Sequence, residues 1–237
     1  MEHIKLLKSE LDRHVDFKKA EKLPKFFKAE PGGYGEGDQF LGVSVPDQRK
    51  IAKMFYKDIT KKELVTLLHD PIHEVRLTAV FMLVLKFEKA KTEKEKERWL
   101  NVYLNKLEGI NNWDLVDSSA HQILGRWLED KPRDILDQLA TSNSLWKQRI
   151  AMVATYHFIR KEEFEETMKV SKALLDHQHD LIHKAVGWML KEVGKRNIEA
   201  EEKFLKSHYQ KMPRTALRYA IEKFPEEKRK AYLDGKI

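Results

Sequence analysis

The chain reads as all-α: a right-handed superhelical solenoid of HEAT-like helix pairs with a basic concave groove. Three observations predict that class. First, nearly every segment spaces its apolar residues with helical period, and no run alternates as a strand would. Second, prolines stand in the first turn of four such segments, with Pro46 opening 46–57, Pro71 opening 71–88, Pro132 opening 132–140 and Pro213 opening 213–224. Third, a basic residue entering an apolar helix recurs along the chain. It appears in Val75-Arg76-Leu77-Thr78-Ala79-Val80, Gln148-Arg149-Ile150-Ala151-Met152-Val153, His183-Lys184-Ala185-Val186-Gly187-Trp188 and Pro213-Arg214-Thr215-Ala216-Leu217. The intervals are about 73, 35 and 30 residues, with a missing member near Trp113, so the period is about 35, two helices per unit.

In chain order, Met1-Glu2-His3-Ile4-Lys5 opens an amphipathic helix. Residues 30–45 are irregular, and helices follow at 46–57, 71–88, 92–107, 112–128, 132–140, 144–159, 162–175, 180–195 and 213–224. The run Glu30-Pro31-Gly32-Gly33-Tyr34-Gly35-Glu36-Gly37-Asp38 lacks a preceding strand and a following Gly-Lys-Ser/Thr. Carboxylates lie among its glycines, so it reads as a connecting loop rather than a phosphate cradle. The whole of 1–237 is expected to form a single domain. Helices carrying Arg76, Trp113, Arg149, Lys184 with Trp188, and Arg214 would line one groove; a charged bundle without a shared groove fits the same periodicity.

Composition narrows the chemistry. The 237 residues carry 45 Lys and Arg against 38 Asp and Glu, a net charge of +7, which favours a polyanionic partner. The absence of cysteine excludes disulfides, zinc–cysteine sites, iron–sulfur clusters and cysteine nucleophiles. No apolar run approaches the roughly 20 residues that span a bilayer, and the N-terminus is not a signal peptide. The expectation is a cytoplasmic protein without a membrane partner.

Trp188 breaks the pattern of its own helix. The apolar stripe runs through Ile182, Ala185, Val186, Met189, Leu190 and Val193, and the indole points roughly 130° from its centre. Lys184, Lys191 and Lys195 neighbour it by helical spacing. An aromatic among ammonium groups suits a sugar or base beside phosphates; packing against a neighbouring helix would give the same pattern. Trp113 and Asp117 lie on adjacent turns of one face, with Asp117 at the core margin and Asp114 pointing further out. A half-withdrawn carboxylate can stabilise developing positive charge or orient a water, and it can equally cap or pair with a helix. Arg149, among Leu145, Trp146, Met152, Val153 and Tyr156, should be buried and therefore in need of an anion: Asp117, a phosphate, or both. His177, His179 and His183 lack the acidic third ligand or HExxH helix of a metal site. Ser118-Ser119 with His121 lacks a nucleophile elbow.

At these residues the chain resembles the HEAT-like-repeat alkylpurine DNA glycosylases, the AlkD family, from about residue 20 to 225. The likeness is carried by Phe40-Leu41-Gly42-Val43 through Pro46 and Arg49, and by Trp113-Asp114-Leu115-Val116-Asp117. Leu145-Trp146-Lys147-Gln148-Arg149 and Lys184-Ala185-Val186-Gly187-Trp188 complete it. The resemblance implies hydrolysis of the N-glycosidic bond of cationic N3- and N7-alkylpurines in duplex DNA, without metal or cofactor. It implies Asp117 as the carboxylate that stabilises the oxocarbenium-like sugar and positions water. Trp113 and Trp188 become the indoles on the deoxyribose, and Arg149 the holder of a nearby phosphate. Arg49, Lys184, Lys191, Lys195, Arg214 and Arg218 are the candidate phosphate contacts. Asn112 stands where some members carry a second tryptophan, and the Gly-rich loop is longer than in those relatives. No obligate protein partner is implied, and a monomer suffices. The alternatives are a non-catalytic binder of damaged or branched DNA and a helical-repeat scaffold for acidic protein segments.

Overall fold

The computed structural model describes residues 2–237, and the all-α expectation holds. Among the described residues there is no β-strand, only an isolated parallel bridge between Gln39 and Ile72. Among them, too, no helix is long and apolar enough to cross a membrane. The chain divides into two compact units, Met1–Ser119 and Ala120–Ile237.

The first unit contains α1 (Glu2–Asp12), α2 (Phe17–Ala20), α3 (Leu23–Phe26), α4 (Val45–Phe55), α5 (Lys61–Leu67), α6 (His73–Lys89), α7 (Glu93–Asn105) and α8 (Trp113–Asp117). Helix α6 is its axis: Val75, Leu77, Ala79, Val80, Met82, Leu83 and Phe87 are all buried, so apolar residues surround it. Helices α4, α5, α7 and α8 pack around it. Side-chain caps set where the surrounding helices begin. Ser44 accepts the Asp47 N–H, and Thr60 and Thr92 form reciprocal capping boxes with Glu63 and Glu95. Helix α6 starts two residues after Pro71, because the Asp70 carboxylate takes the Ile72 N–H in a turn.

The segment Phe40-Leu41-Gly42-Val43 is strapped to α6. Glu74, itself buried, accepts the Leu41 N–H at 3.1 Å and the Gly42 N–H at 2.8 Å. Gly42 has φ +78°, and a Cβ there would lie 2.1 Å from the Asp16 carbonyl oxygen, so only glycine fits.

The second unit opens on a π-helical turn, His121–Gly125, followed by α9 (Asp134–Ala140), α10 (Leu145–Ala154), α11 (Tyr156–Ile159) and α12 (Glu165–Ala173). Then come α13 (Asp180–Gly194), α14 (Ile198–His208), α15 (Arg214–Ala220) and α16 (Glu226–Leu233). Helix α13 is the central member, touching α10, α11, α12, α14 and α15. Its closest approach is at Gly187, where a Cβ would fall 2.4 Å from the Ala216 carbonyl oxygen and 2.5 Å from the Tyr219 Cβ. That fit accounts for the glycine beside Trp188.

Two helices expected to be continuous are broken, each beside a hydroxyl that bonds back to a carbonyl. The span 112–128 is an α-helix only to Asp117, and 144–159 is interrupted at Thr155. Ser119 Oγ donates back to the Leu115 carbonyl at 2.7 Å, and Thr155 Oγ1 to the Met152 carbonyl at 2.7 Å. Hydroxyls that bond back along the chain compete with the helical ladder and bend it. Helices α5, α14 and α16, and the short α2 and α3, go beyond the elements expected from the sequence.

One buried acid gives the second unit a pH-dependent stability. Glu201 on α14 is 1 % exposed, and its Oε1 has no hydrogen-bond partner. Burial, reinforced by the charge of Glu202, pushes its pKa up to about 8, against an opposing contribution from Lys191. A folded-state value raised above the ordinary 4.5 means that stability is fully present below pH 4.5 and is lost as pH rises towards 8. Glu201→Gln therefore raises the melting temperature relative to wild type at pH 8 and leaves it unchanged at pH 4.5. Parallel thermal melts across that range measure the difference, and equal slopes for the two proteins would refute it.

Candidate functional site

Helix α8 spans five residues, too few for a helix to hold itself in water. Its geometry is imposed from outside. The Asn112 side chain caps it by accepting the Trp113 N–H at 2.8 Å. Asp114 Oδ1 takes the Leu115 N–H, and its Oδ2 receives the His73 Nε2–H at 2.8 Å. Asp114 does not point outward as expected: its side chain is 14 % exposed, because His73 draws it in. Leu115 and Val116 are fully buried, which leaves Trp113 and Asp117 half-buried on the neighbouring face.

Trp113 stacks on Phe27, with ring centroids 5.4 Å apart and planes at 19°, and meets Phe26 edge-on at 5.7 Å. Phe26 is itself 60 % exposed, so α3 and α8 together present an aromatic surface. The field of Asp117 reaches the interior. The buried Tyr103 hydroxyl is pushed well above the usual phenol range by burial first and by the Asp117 charge as well, against the hydrogen bond with Ser119. Arg49 on α4 lays its guanidinium 4.0 Å from the centre of the Phe81 ring.

Beneath Trp113 lies a polar cluster that spacing alone left unnoticed. His73 Nδ1 donates to Asp38 at 3.0 Å, and Arg76 Nη2 donates to the other oxygen of Asp38 at 2.6 Å. Burial alone would pull the His73 pKa down. Hydrogen bonds to Asp114 and Asp38 outweigh it and bring the value up to about 9, against the repulsion of Arg76. Asp38 is likewise held below its ordinary value: desolvation raises it, and His73 and Arg76 together overcome that. Arg76 therefore does not line a groove. It is 4 % exposed and also donates to the Asp70 carbonyl at 2.8 Å. The acid that ends the Gly-rich run was the sequence signal for this cluster.

In the second unit Arg149 is buried, as its apolar neighbours required, with Nη1 donating to the Leu181 carbonyl in the first turn of α13 at 2.5 Å. A backbone oxygen is thus among its partners, where a carboxylate or phosphate was expected. Trp188 is half-buried, 6.1 Å from the Tyr156 ring, and His121 meets Tyr156 edge-on at 5.3 Å. The lysines around Trp188 are paired. Lys184 meets Asp180 at 2.6 Å, Lys191 meets Glu222 at 2.7 Å, and Lys195 meets Glu192 at 2.5 Å. Arg214 donates to the Leu233 carbonyl at 2.7 Å, while Arg218 is exposed one turn along α15.

His177 and His179, ahead of α13, build a turn, and His183 within that helix bonds the His177 carbonyl. The His179 N–H donates to His177 Nδ1 at 2.9 Å, His177 Nε2 bonds Gln148 at 2.9 Å, and the Leu181 N–H donates to His179 Nδ1 at 3.1 Å. Among the described residues no group of three or more acidic and histidine side chains is arranged to hold a metal ion.

A solved structure described as a predicted DNA alkylation repair enzyme from Enterococcus faecalis is similar to this chain, with a TM-score of 0.70 at 17 % identity. The likeness covers 90 % of this chain and 98 % of that one, and at such identity it speaks for the fold. No curated protein sequence matches. The family described as DNA alkylation repair enzyme matches residues 7–224, and the chain therefore belongs to the DNA alkylation repair enzyme family.

Proposed function

We propose that this protein is a metal- and cofactor-independent DNA glycosylase that hydrolyses the N-glycosidic bond of cationic N3- and N7-alkylpurines in duplex DNA. The observation that supports it most directly is α8, which holds a half-buried carboxylate, Asp117, one turn beyond a half-buried indole, Trp113. An alkylated purine already carries a positive charge. When the C1′–N bond breaks, its electron pair returns to the base, which leaves neutral, and no proton has to be delivered to it. The cation left on the sugar is stabilised by the Asp117 carboxylate and by an indole face. Water then adds its oxygen to C1′ and gives up a proton to Asp117 or to solvent.

In the second unit, taken by itself, Arg149 is proposed to hold a phosphate and Trp188 to offer its indole face to a deoxyribose. Arg49, Lys184, Lys191, Lys195, Arg214 and Arg218 take the phosphates. Those already paired to carboxylates exchange one anion for another on binding, so they contribute less to affinity than free cations would. The fold and the family support a nucleic-acid partner; the residue roles are the proposal.

Mass spectrometry of the supernatant after incubation with methylated duplex DNA tests the reading. Free 3-methyladenine or 7-methylguanine is the expected product. DNA binding without any base released would leave a non-catalytic binder instead. In the same samples, log K should fall with log salt at a slope of about −3 to −5 if most of the six cations meet phosphates. A flat line would point to a protein partner.

A further inference from the structure

We propose that His73 is a positioning residue: as an imidazolium clamped between Asp38 and Asp114, it fixes α8 and with it Trp113 and Asp117. The catalytic consequence rests on the glycosylase reading; the clamp itself does not.

Both ring nitrogens of His73 face carboxylate oxygens, at 3.0 Å and 2.8 Å. A neutral imidazole has only one N–H, so two acceptor-only partners require the doubly protonated ring. The groups that face it are Asp38 from the loop, Asp114 from α8 and Arg76 from its own helix, with the rings of Phe27 and Phe40 at 4.4 Å and 5.3 Å. Stacking of a cation on aromatic faces adds to the carboxylate attraction.

The clamp grips α8 on either side of Trp113. Through His73, Asp38 holds Asp114, and the same Asp38 oxygen receives the Asn112 side-chain N–H at 3.4 Å. Asn112 is the cap of the helix, so the residues before and after the indole both trace back to one carboxylate. Phe27 then closes on the Trp113 face.

The same arrangement explains the Gly-rich loop. Cβ atoms at Gly33 and Gly35 would lie 1.9 Å and 2.5 Å from the carbonyl oxygens of Lys28 and Phe27, and Gly37 has φ +88°. These glycines let the chain fold tightly over α3 and deliver Asp38 to His73. Their work is the placement of a counter-ion.

The test uses the full-length protein with His73→Gln and Asp38→Asn. A glutamine amide donates from one end only, so His73→Gln cannot hold Asp38 and Asp114 together and the link between them is cut. Base release in single turnover should slow by about 10- to 100-fold, as expected for a displaced reacting group, with duplex affinity within about threefold of wild type. The fluorescence of Trp113, taken as the difference from Trp113→Phe, should shift to the red as the ring leaves Phe27. In Asp38→Asn the imidazolium loses one partner, so release should decline at a lower pH than in wild type. Superimposable pH profiles, or an unchanged Trp113 emission with unchanged rate, would overturn the clamp. If His73→Gln fails to fold, nitrogen NMR of wild type decides: two protonated ring nitrogens on His73 support the proposal and one refutes it. Should wild type release no base at all, the glycosylase reading falls, while the NMR and Trp113 emission still judge the clamp.

Discussion

Asp117→Asn lowers the rate of alkylpurine release by about 10²–10³-fold, the loss expected when a preorganised electrostatic partner is removed from a developing charge. The asparagine keeps the size and hydrogen-bonding reach of the carboxylate, so α8 stays in place and only the charge is lost. Duplex affinity should therefore hold, because in the proposed reading the phosphates are met by the cations and not by this acid. The magnitude depends on where Asp117 sits. In bulk water, a unit charge near a sugar cation is worth about 1 kcal/mol at 4 Å, and the value rises severalfold as the surroundings become less polar. Asp117 is half-buried, so its surroundings are less polar than bulk water. Single-turnover rates with wild type and variant on one methylated duplex measure the ratio. Equal rates would remove Asp117 from the chemistry and shift attention to the indoles. A parallel loss of affinity would mean that the substitution had disturbed α8 itself.

Helical period was enough to place Trp113 and Asp117 on one face and Trp188 off its apolar stripe, since such relations span three or four residues. The burial of Arg149 was legible for the same reason: its neighbours at helical spacing are apolar. What local pattern cannot carry is the identity of a partner far along the chain. Asp38 meets His73 across 35 positions and Asp114 meets it across 41, so helical spacing alone points Asp114 further out than Asp117. Each lysine beside Trp188 likewise found a carboxylate, and two of those lie within the same helix, Asp180 and Glu192. Those two could have been read from the i,i+4 and i,i+3 spacing; Glu222, on the 3₁₀ turn after α15, could not. The breaks at Ser119 and Thr155 were hidden for another reason. A serine or threonine inside a helix bends it only when its hydroxyl turns back to a carbonyl, and sequence does not reveal the rotamer.

Arg76→Met should destabilise the protein by about 3–5 kcal/mol, the range for leaving one member of a buried ion pair without its partner. Methionine fills much of the same volume, so a cavity contributes little and the electrostatic loss dominates. Both groups are nearly dry, with side chains 5 % and 7 % exposed, so solvent does little to screen the contact. Asp38 would still have His73 and the longer Asn112 bond, which places the expected loss near the lower end of that range. The sign against pH follows from the depressed Asp38 value. Its stabilisation is present above the ordinary carboxylate value of 3.8 and is lost as pH falls through the lower folded-state value. The wild-type advantage over Arg76→Met should accordingly shrink in acid. A double-mutant cycle with Asp38→Asn separates the pair from its surroundings. If the contact carries the effect, the double variant is more stable than the sum of the singles allows, with a coupling of about 1–3 kcal/mol. Additive losses would show that Asp38 turns to water when Arg76 is gone, and that the loop, not the ion pair, holds the acid in place.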